Sequence, residues 1–151
     1  MKILVTGATG FVGKQVVKRL LAAGDDVVVL TRYVPKAVLE LGNKCKYFQW
    51  PDTNSLPPLE AFDGVDAVIN LMGEGIAEKR WSDDQKKKIY DSRILGTRNL
   101  VEALAKLPSK PKAFVSASAV GIYGNRGDEE ILESSSTVND FLGSVCKDWE
   151  A

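Results

Sequence analysis

Histidine is absent from this chain of 151 residues, and its absence excludes several kinds of site. Zinc sites with imidazole ligands and Ser-His-Asp triads both need it. The two cysteines, Cys45 and Cys146, lie far apart and lack the spacing of metal ligands. We therefore expect no metal site. So few cysteines, with no signal-like N-terminal segment, predict a reducing, cytoplasmic location.

An excess of charge of one sign is also missing. Lys and Arg number 20 and Asp and Glu number 20, so the formal net charge is zero. A balanced charge gives no indication of binding to nucleic acid or to an anionic membrane. No apolar run is long enough to span a bilayer. The composition favours a protein whose partner is a small molecule, with neither nucleic acid nor membrane as a partner.

A glycine-rich turn follows the first predicted strand. Residues 3–6 are an apolar, largely β-branched run, and Gly7, Gly10 and Gly13 then lead into a helix predicted over 14–23. Glycines let the chain turn tightly, let phosphates approach the backbone, and let the helix pack close to the strand. The unpaired N–H groups at the start of a helix favour a diphosphate. An ordinary glycine-rich turn is the alternative.

The rest of the chain alternates predicted strands and helices. Further strands are expected at 26–31, 44–50, 67–71 and 113–118, and helices at 35–41, at 82–104 and from about 138, with a polar loop at 121–136. This alternation predicts an α/β fold of the doubly wound, Rossmann type, a parallel sheet of order 3-2-1-4-5 with helices on both faces. A ligand then lies beyond the carboxyl ends of the strands, where the order reverses.

The end of the second predicted strand indicates which dinucleotide binds. NAD-preferring sites usually place Asp or Glu there for the ribose 2′-hydroxyl, whereas this chain has Thr31, Arg32 and Tyr33. Arg32 could pair with a 2′-phosphate through its planar guanidinium, which favours NADP(H) over NAD(H). A surface arginine is the alternative. Asp52, after the third strand, is a lesser candidate for the adenine amino group or simply a turn former.

Several segments resemble one known family. They are VTGATGFVG at 5–13, NLMGE at 70–74, DSR at 91–93, GTRNL at 96–100, SASAVGIYG at 116–124, DFL at 140–142 and CKDWE at 146–150. Together they resemble the extended short-chain dehydrogenases/reductases. Within that superfamily the chain is most similar to the NADP-dependent, epimerase-like subfamily, often described as sugar-nucleotide epimerases or cell-division-inhibitor-like proteins. The resemblance covers essentially all of the chain.

The resemblance implies roles for particular residues. The cofactor diphosphate would be lined by Gly7, Thr9, Gly10, Phe11 and Val12. Thr31 and Arg32 would lie at the adenosine ribose, and Met72 and Gly73 beside the cofactor. Arg93 would reach the cofactor or support the sheet. Ser118 would take the place of the hydroxyl that, in active relatives, contacts the reacting oxygen of the substrate.

The chain departs from the family at the catalytic pair. Active members carry Tyr-x-x-x-Lys on the helix after the fifth strand, where lysine lowers the pKa of the tyrosine that moves the proton. Here the corresponding residues are Leu142 and Cys146, and a shift by one residue pairs Lys147 with Gly143. Tyr123 is the nearest phenol, either as a substitute acid or as an aromatic covering the cofactor.

Length is the second departure. Members of the family are about twice as long, so residues 1–151 would be their NAD(P)-binding domain, truncated to the N-terminal half and without the C-terminal substrate-binding part. Such a chain would leave a sheet edge uncovered and expose the apolar residues of its last helix, among them Val145 and Trp149. We therefore expect a homodimer through helix 82–104 and the C-terminal helix.

Three functions follow from these observations. The first is an NADP-dependent oxidoreductase or epimerase acting on a nucleotide sugar or a small carbonyl compound, with Ser118 and Tyr123 as the catalytic candidates. The second is an NADP(H)-binding module, a redox sensor or scaffold, without catalysis. The third is a truncated product that binds the cofactor poorly.

Overall fold

Five parallel strands form the sheet in the computed structural model, which describes residues 1–151. They are β1 (Lys2–Thr6), β2 (Asp26–Thr31), β3 (Lys46–Gln49), β4 (Ala67–Asn70) and β5 (Ala113–Ser116). Their order, β3-β2-β1-β4-β5, is the order that the sequence predicts. All four pairings are parallel, so the carboxyl ends of the strands lie at one edge.

The chain divides into two units, Met1–Ser116 and Ala117–Ala151. The first holds the sheet together with α1 (Phe11–Ala22), α2 (Val34–Leu41), α3 (Asp83–Ala105) and a 3₁₀ turn at Leu59–Phe62. The second holds a 3₁₀ turn at Val120–Tyr123 and α4 (Phe141–Glu150). No helix combines the length and the apolar character that crossing a membrane requires.

Helices cover both faces of the sheet. On one face Leu4, Val28 and Val68 pack with residues of α3 and of the 3₁₀ turn at Leu59–Phe62. On the other face Ile3, Val5, Val27 and Val29 pack with residues of α1. Successive side chains of a strand point to opposite faces, so an unbroken apolar run fills both cores. This two-sided burial explains why β1 and β2 are continuously apolar.

Helix α1 begins three residues before the predicted start. Gly10 is its N-cap, and the N–H of Lys14 donates to the carbonyl of Gly10 at 3.0 Å, which closes the first turn. The C-terminal end follows a Schellman pattern: Gly24 takes a φ of +81° and the N–H of Asp25 donates to the carbonyl of Leu20 at 3.1 Å. The glycine-rich segment therefore contributes the first turn of the helix as well as the loop.

Helix α4 begins later than predicted. Val138 donates its N–H to the carbonyl of Ile122 at 2.9 Å, which ties it to the 3₁₀ turn instead of starting a helix. Asp140 is the N-cap, and its Oδ1 accepts from the N–H of Gly143 at 2.7 Å. Val145 and Trp149 of α4 are buried. The prediction that they would be exposed is wrong, because α4 packs on that turn.

Strand β5 forms an open edge of the sheet. All four of its residues are exposed, and Val115 keeps 57% of its surface. The strand ends at Ser116, two residues before the predicted end. β5 is therefore the last strand of the sheet, as the sequence predicts.

Candidate cofactor-binding site

A cavity of about 740 Å³ opens at the carboxyl edge of the sheet. Every residue that lines it belongs to the first unit, and four segments supply most of the lining: residues 6–10 after β1, 30–32 at the end of β2, 50–54 after β3 and 71–75 after β4. Its volume lies in the range of small-molecule sites, and its position is the point where the strand order reverses.

The turn after β1 depends on two glycines. Gly7 has a φ of +65°, and a Cβ there would lie 2.4 Å from the carbonyl oxygen of Leu71. At Gly13 a Cβ would lie 2.2 Å from the carbonyl oxygen of Gly7. No side chain caps the first turn of α1. Its N–H groups, which have no partners within the helix, are therefore suited to ligand oxygens.

A buried polar network holds the strand ends beneath the cavity. The hydroxyl of Thr6 donates to Oδ1 of Asn70 at 2.7 Å, and Nδ2 of Asn70 donates to the hydroxyls of Thr97 at 2.9 Å and Ser116 at 3.1 Å. Thr6 and Asn70 are almost fully buried. Because one amide joins β1, β4, β5 and α3, the network fixes the spacing of the elements that carry the cavity.

Two cations stand at the end of β2. Arg32 and Lys36 both line the cavity, and both side chains are mostly exposed. The carbonyl of Arg32 accepts from Nε2 of Gln49 at 3.2 Å, which fixes the backbone, while the guanidinium is exposed to solvent. An exposed arginine beside a lysine is suited to an anionic group such as a phosphate.

The loop after β4 is clamped through the backbone of Glu74. Its N–H donates to the hydroxyl of Ser92 at 2.9 Å, and its carbonyl accepts from Nη1 of Arg93 at 3.0 Å. Arg93 also donates to the carbonyl of Ile89 at 3.1 Å. A Cβ at Gly73 would lie 2.8 Å from the guanidinium carbon of Arg93. Arg93 therefore holds the loop after β4, and a contact with the cofactor stays a prediction.

The Glu74 side chain faces several cations. Its Oε2 lies 3.8 Å from Nη1 of Arg32, and its Oε1 lies 3.4 Å from Nζ of Lys79. Burial alone would raise the pKa of the Glu74 carboxyl, but hydrogen bonds from Lys79 and Gln85, with the charges of Lys79 and Arg32, outweigh it. The pKa therefore lies below its ordinary value, and Glu74 is ionised at neutral pH.

The segment after β3 lines one side of the cavity. Oδ1 of Asp52 accepts from the N–H of Asn54 at 2.8 Å, which is the turn-forming role considered for this residue. Nδ2 of Asn99 donates to the carbonyl of Thr53 at 2.6 Å. Asp52 also lines the cavity, so its carboxylate remains at the position where it could meet an adenine.

The structure brings together most of the predicted cofactor residues. Those that line the cavity are Gly7, Thr9, Gly10, Thr31, Arg32, Met72 and Gly73. Phe11, Val12, Gly13 and Arg93 are not among the lining residues. The Phe11 and Val12 side chains are exposed, and their role at the diphosphate stays a prediction.

The catalytic candidates belong to the second unit. The exposed Ser118 hydroxyl donates to the carboxylate of Glu150, and the Tyr123 hydroxyl donates to the carbonyl of Glu133 at 3.5 Å. Leu142 is half-buried and Cys146 is buried. No phenol or ammonium group stands at the two positions of the family pair.

Sequence reasoning missed two residues of the site. Glu74 directly follows the Met72–Gly73 pair, and a carboxylate after a glycine at a strand end was the signal that could have found it. Asn70, the last residue of β4, was placed in the fourth strand and in the segment 70–74 that resembles the family, but was given no role in the site. A polar residue that ends an apolar strand at the ligand edge is a useful indicator of such a network.

The fold class follows from three features: the glycine turn, the strand order, and the cavity at the point where that order reverses. They are the features of a Rossmann-type α/β fold of the kind that binds dinucleotides. The model of the NAD dependent epimerase/dehydratase family matches residues 3–141, and the chain belongs to this family.

Individual relatives agree with this assignment. An epimerase family protein of Mycobacterium bovis, Mb2239, is 36% identical over 98% of this chain and 46% of its own length. The crystal structure of human epimerase family protein SDR39U1 (isoform 2) with NADPH superimposes with a TM-score of 0.80 at 30% identity, covering 99% of this chain and 48% of the human one. The chain spans about half the length of these relatives.

A further solved structure carries a substrate class in its name. It is a nucleoside-diphosphate sugar epimerase from Corynebacterium glutamicum, with a TM-score of 0.77 and 34% identity, covering 99% of this chain and 29% of that protein. The cofactor expected from the sequence, NADP(H), is the one in the human structure.

Proposed function

We propose that this chain binds NADP(H) in the cavity at the carboxyl edge of the sheet, as the cofactor-binding part of an epimerase-like oxidoreductase. The observation that carries the proposal is the convergence of the glycine turn, Arg32 and the Met72–Gly73 loop on one cavity. The family of the chain and the NADPH in the human relative support it.

The residues present fit such a cofactor. Adding a Cβ at Gly7 or Gly13 would collide with backbone atoms, so the turn is built without side chains where a diphosphate would approach. Thr9 and Gly10 would lie along that diphosphate with the first-turn N–H groups of α1. Arg32 and Lys36 would hold a 2′-phosphate, because both cations line the cavity and are exposed enough to turn toward a ligand.

A bound nicotinamide supplies reversible hydride transfer. The substrate class that we propose is a nucleotide sugar or a small carbonyl compound, supported by the naming of the Corynebacterium relative. Ser118 would donate a hydrogen bond to the reacting oxygen, in place of the one that its hydroxyl donates to the Glu150 carboxylate. Tyr123 would be the proton donor, since it is the phenol nearest to Ser118 in the sequence.

A second candidate function is cofactor binding without turnover. It is favoured by Leu142 and Cys146, which stand where active relatives carry tyrosine and lysine. Leucine has no exchangeable proton, and a buried thiol does not replace an ammonium group. A chain of this kind would act as an NADP(H)-responsive module that reports cofactor occupancy to another protein.

Titration of NADPH fluorescence tests cofactor binding. We expect saturable binding of NADPH, weaker binding of NADH, and an about 10- to 100-fold loss of NADPH affinity in Arg32→Ala with little change for NADH. Arg98→Ala, which removes an exposed arginine outside the cavity, is the matched control. Equal affinities for the two cofactors, unchanged by Arg32→Ala, would contradict the proposal.

A further inference from the structure

The carboxylate that the end of β2 lacks is supplied from another part of the chain. In NAD-preferring sites an acidic residue at that strand end meets the ribose hydroxyls. Here β2 ends without one, yet Oε2 of Glu74, from the loop after β4, lies 3.8 Å from Nη1 of Arg32. The tertiary structure therefore places an anionic side chain beside a cationic one at the end of β2, where the two cofactors would be distinguished.

Glu74 is the fixed member of this pair. Both polar groups of its backbone are held, by Ser92 and by Arg93, and only 20% of its side chain is exposed. Arg32 is the exposed member, with 80% of its side chain open to solvent. Any anion that binds the Arg32 guanidinium consequently approaches a negative charge that cannot move far away.

We infer that Glu74 is a specificity-determining residue that weakens the preference for NADP(H) over NAD(H) which Arg32 alone would give. The inference rests on the proposed cofactor site. A 2′-phosphate bound to Arg32 lies near the Glu74 carboxylate, and like charges at that range repel. NAD(H) presents a hydroxyl instead, which donates a hydrogen bond to a carboxylate. The pair Arg32–Glu74, rather than Arg32 alone, sets the selectivity.

The charge on Glu74 persists at the pH where the site would work. Lys79 and Gln85 hydrogen-bond to the carboxylate and keep its pKa below the ordinary range, against the opposing effect of burial. Lys79 contacts Oε1 and Arg32 faces Oε2, so the two cations do not compete for one oxygen. Arg32 can therefore turn toward a ligand while Glu74 stays ionised and in place.

The test compares dissociation constants for NADPH and NADH in Glu74→Gln at low ionic strength. We expect the ratio Kd(NADH)/Kd(NADPH) to rise about three- to tenfold over wild type. Glu78→Gln is the matched control, because Glu78 lines the same cavity but forms no ion pair with Arg32. It should change the ratio by less than about twofold. A ratio that is unchanged or lower in Glu74→Gln would overturn the inference, as would an equal rise in both variants.

Two further measurements separate charge from folding and from the proposed function. Glu74→Asp keeps the charge, so its ratio should stay near wild type; a ratio equal to that of Glu74→Gln would refute a charge effect. Melting curves by circular dichroism establish that each variant is folded. The binding data also distinguish failure of the inference from failure of the proposed function. If the wild-type chain binds neither cofactor, both fail. If it binds NADPH and Glu74→Gln leaves the ratio unchanged, only the inference fails.

Discussion

The carboxyl edge of the sheet and the segment after β5 differ in how their polar side chains are held. At the sheet edge Thr6 and Asn70 are buried and joined in one network, and Glu74 is clamped at both backbone groups. In the second unit the Ser118 hydroxyl is exposed and Tyr123 makes one long hydrogen bond. The polar side chains at the sheet edge are held by several internal hydrogen bonds, whereas the side chain of each catalytic candidate makes one hydrogen bond.

This difference shows how binding and chemistry can separate within one family. A dinucleotide cradle is built largely from backbone, so it persists wherever the fold and a few glycines persist. Proton transfer depends on single side chains with the right pKa, and Leu142 and Cys146 supply neither the phenol nor the ammonium group of the Tyr-x-x-x-Lys pair. Substitutions at the carboxyl edge of the sheet can therefore test cofactor binding, and substitutions in the second unit can test proton transfer, independently of each other.

The largest effect is expected for Gly13→Ala. A Cβ at this position lies 2.2 Å from the carbonyl oxygen of Gly7, and backbone atoms cannot yield cheaply. The clash outweighs the gain of about 1 kcal/mol from alanine in a helix, so unfolding free energy should fall by about 3 kcal/mol and NADPH binding should be lost. Chemical denaturation and NADPH titration measure the two losses.

Gly10→Ala is the control for that substitution. The nearest atom to its Cβ, the carbonyl oxygen of Gly7, is 3.2 Å away, so stability should fall by less than about 1 kcal/mol. NADPH affinity should still fall, because the methyl group stands at the proposed diphosphate position. Equal stability losses at Gly10 and Gly13 would contradict the packing role assigned to Gly13.

Asn70→Ala should have the next largest effect. It leaves the buried hydroxyl of Thr6 without its acceptor and removes the donor to Thr97 and Ser116. Loss of a satisfied buried amide should lower the unfolding free energy by about 2 kcal/mol, as measured by urea denaturation. Asn43→Ala, at an exposed position, should stay within about 0.5 kcal/mol of wild type. Similar losses of unfolding free energy in Asn70→Ala and Asn43→Ala would show that the buried network does not stabilise the fold.

Acid should reveal a smaller effect at Glu74. Its pKa in the folded chain lies below the ordinary value of 4.5, so its stabilising contribution is present above that pH and is lost as the pH falls through the folded pKa. Wild type should melt above Glu74→Gln at pH 7, and the gap should close toward pH 3. A gap that is constant with pH would indicate a loss of packing instead of charge.

The smallest effect on binding is expected in the second unit. Ser118→Ala and Tyr123→Phe remove hydroxyls with few fixed partners, so NADPH affinity should stay within about twofold of wild type. The same variants decide between the two candidate functions. If the wild-type chain turns over a carbonyl substrate, each variant should lose most of that rate. If no turnover is measurable under any condition, the binding module is the better description.

Much of the fold was predictable because apolar patterning and glycine spacing are local signals. The strand order followed from the βαβ connections, and the sheet confirms it. The starts of α1 and α4 were not predictable, since they depend on the Gly10 N-cap and on the hydrogen bond from Val138 to Ile122. Self-association and a cytoplasmic location stay predictions.

By itself the sequence determined that a parallel sheet opens on a glycine turn, because strand and helix periodicities and the small size of glycine act over a few residues. It also determined that the positions of the family's catalytic pair carry neither a phenol nor an ammonium group. Only the tertiary structure decided that Glu74 stands beside Arg32 and that Asn70 joins three strands and a helix. Such contacts join residues tens of positions apart, and their distances are set by packing, which no local pattern encodes.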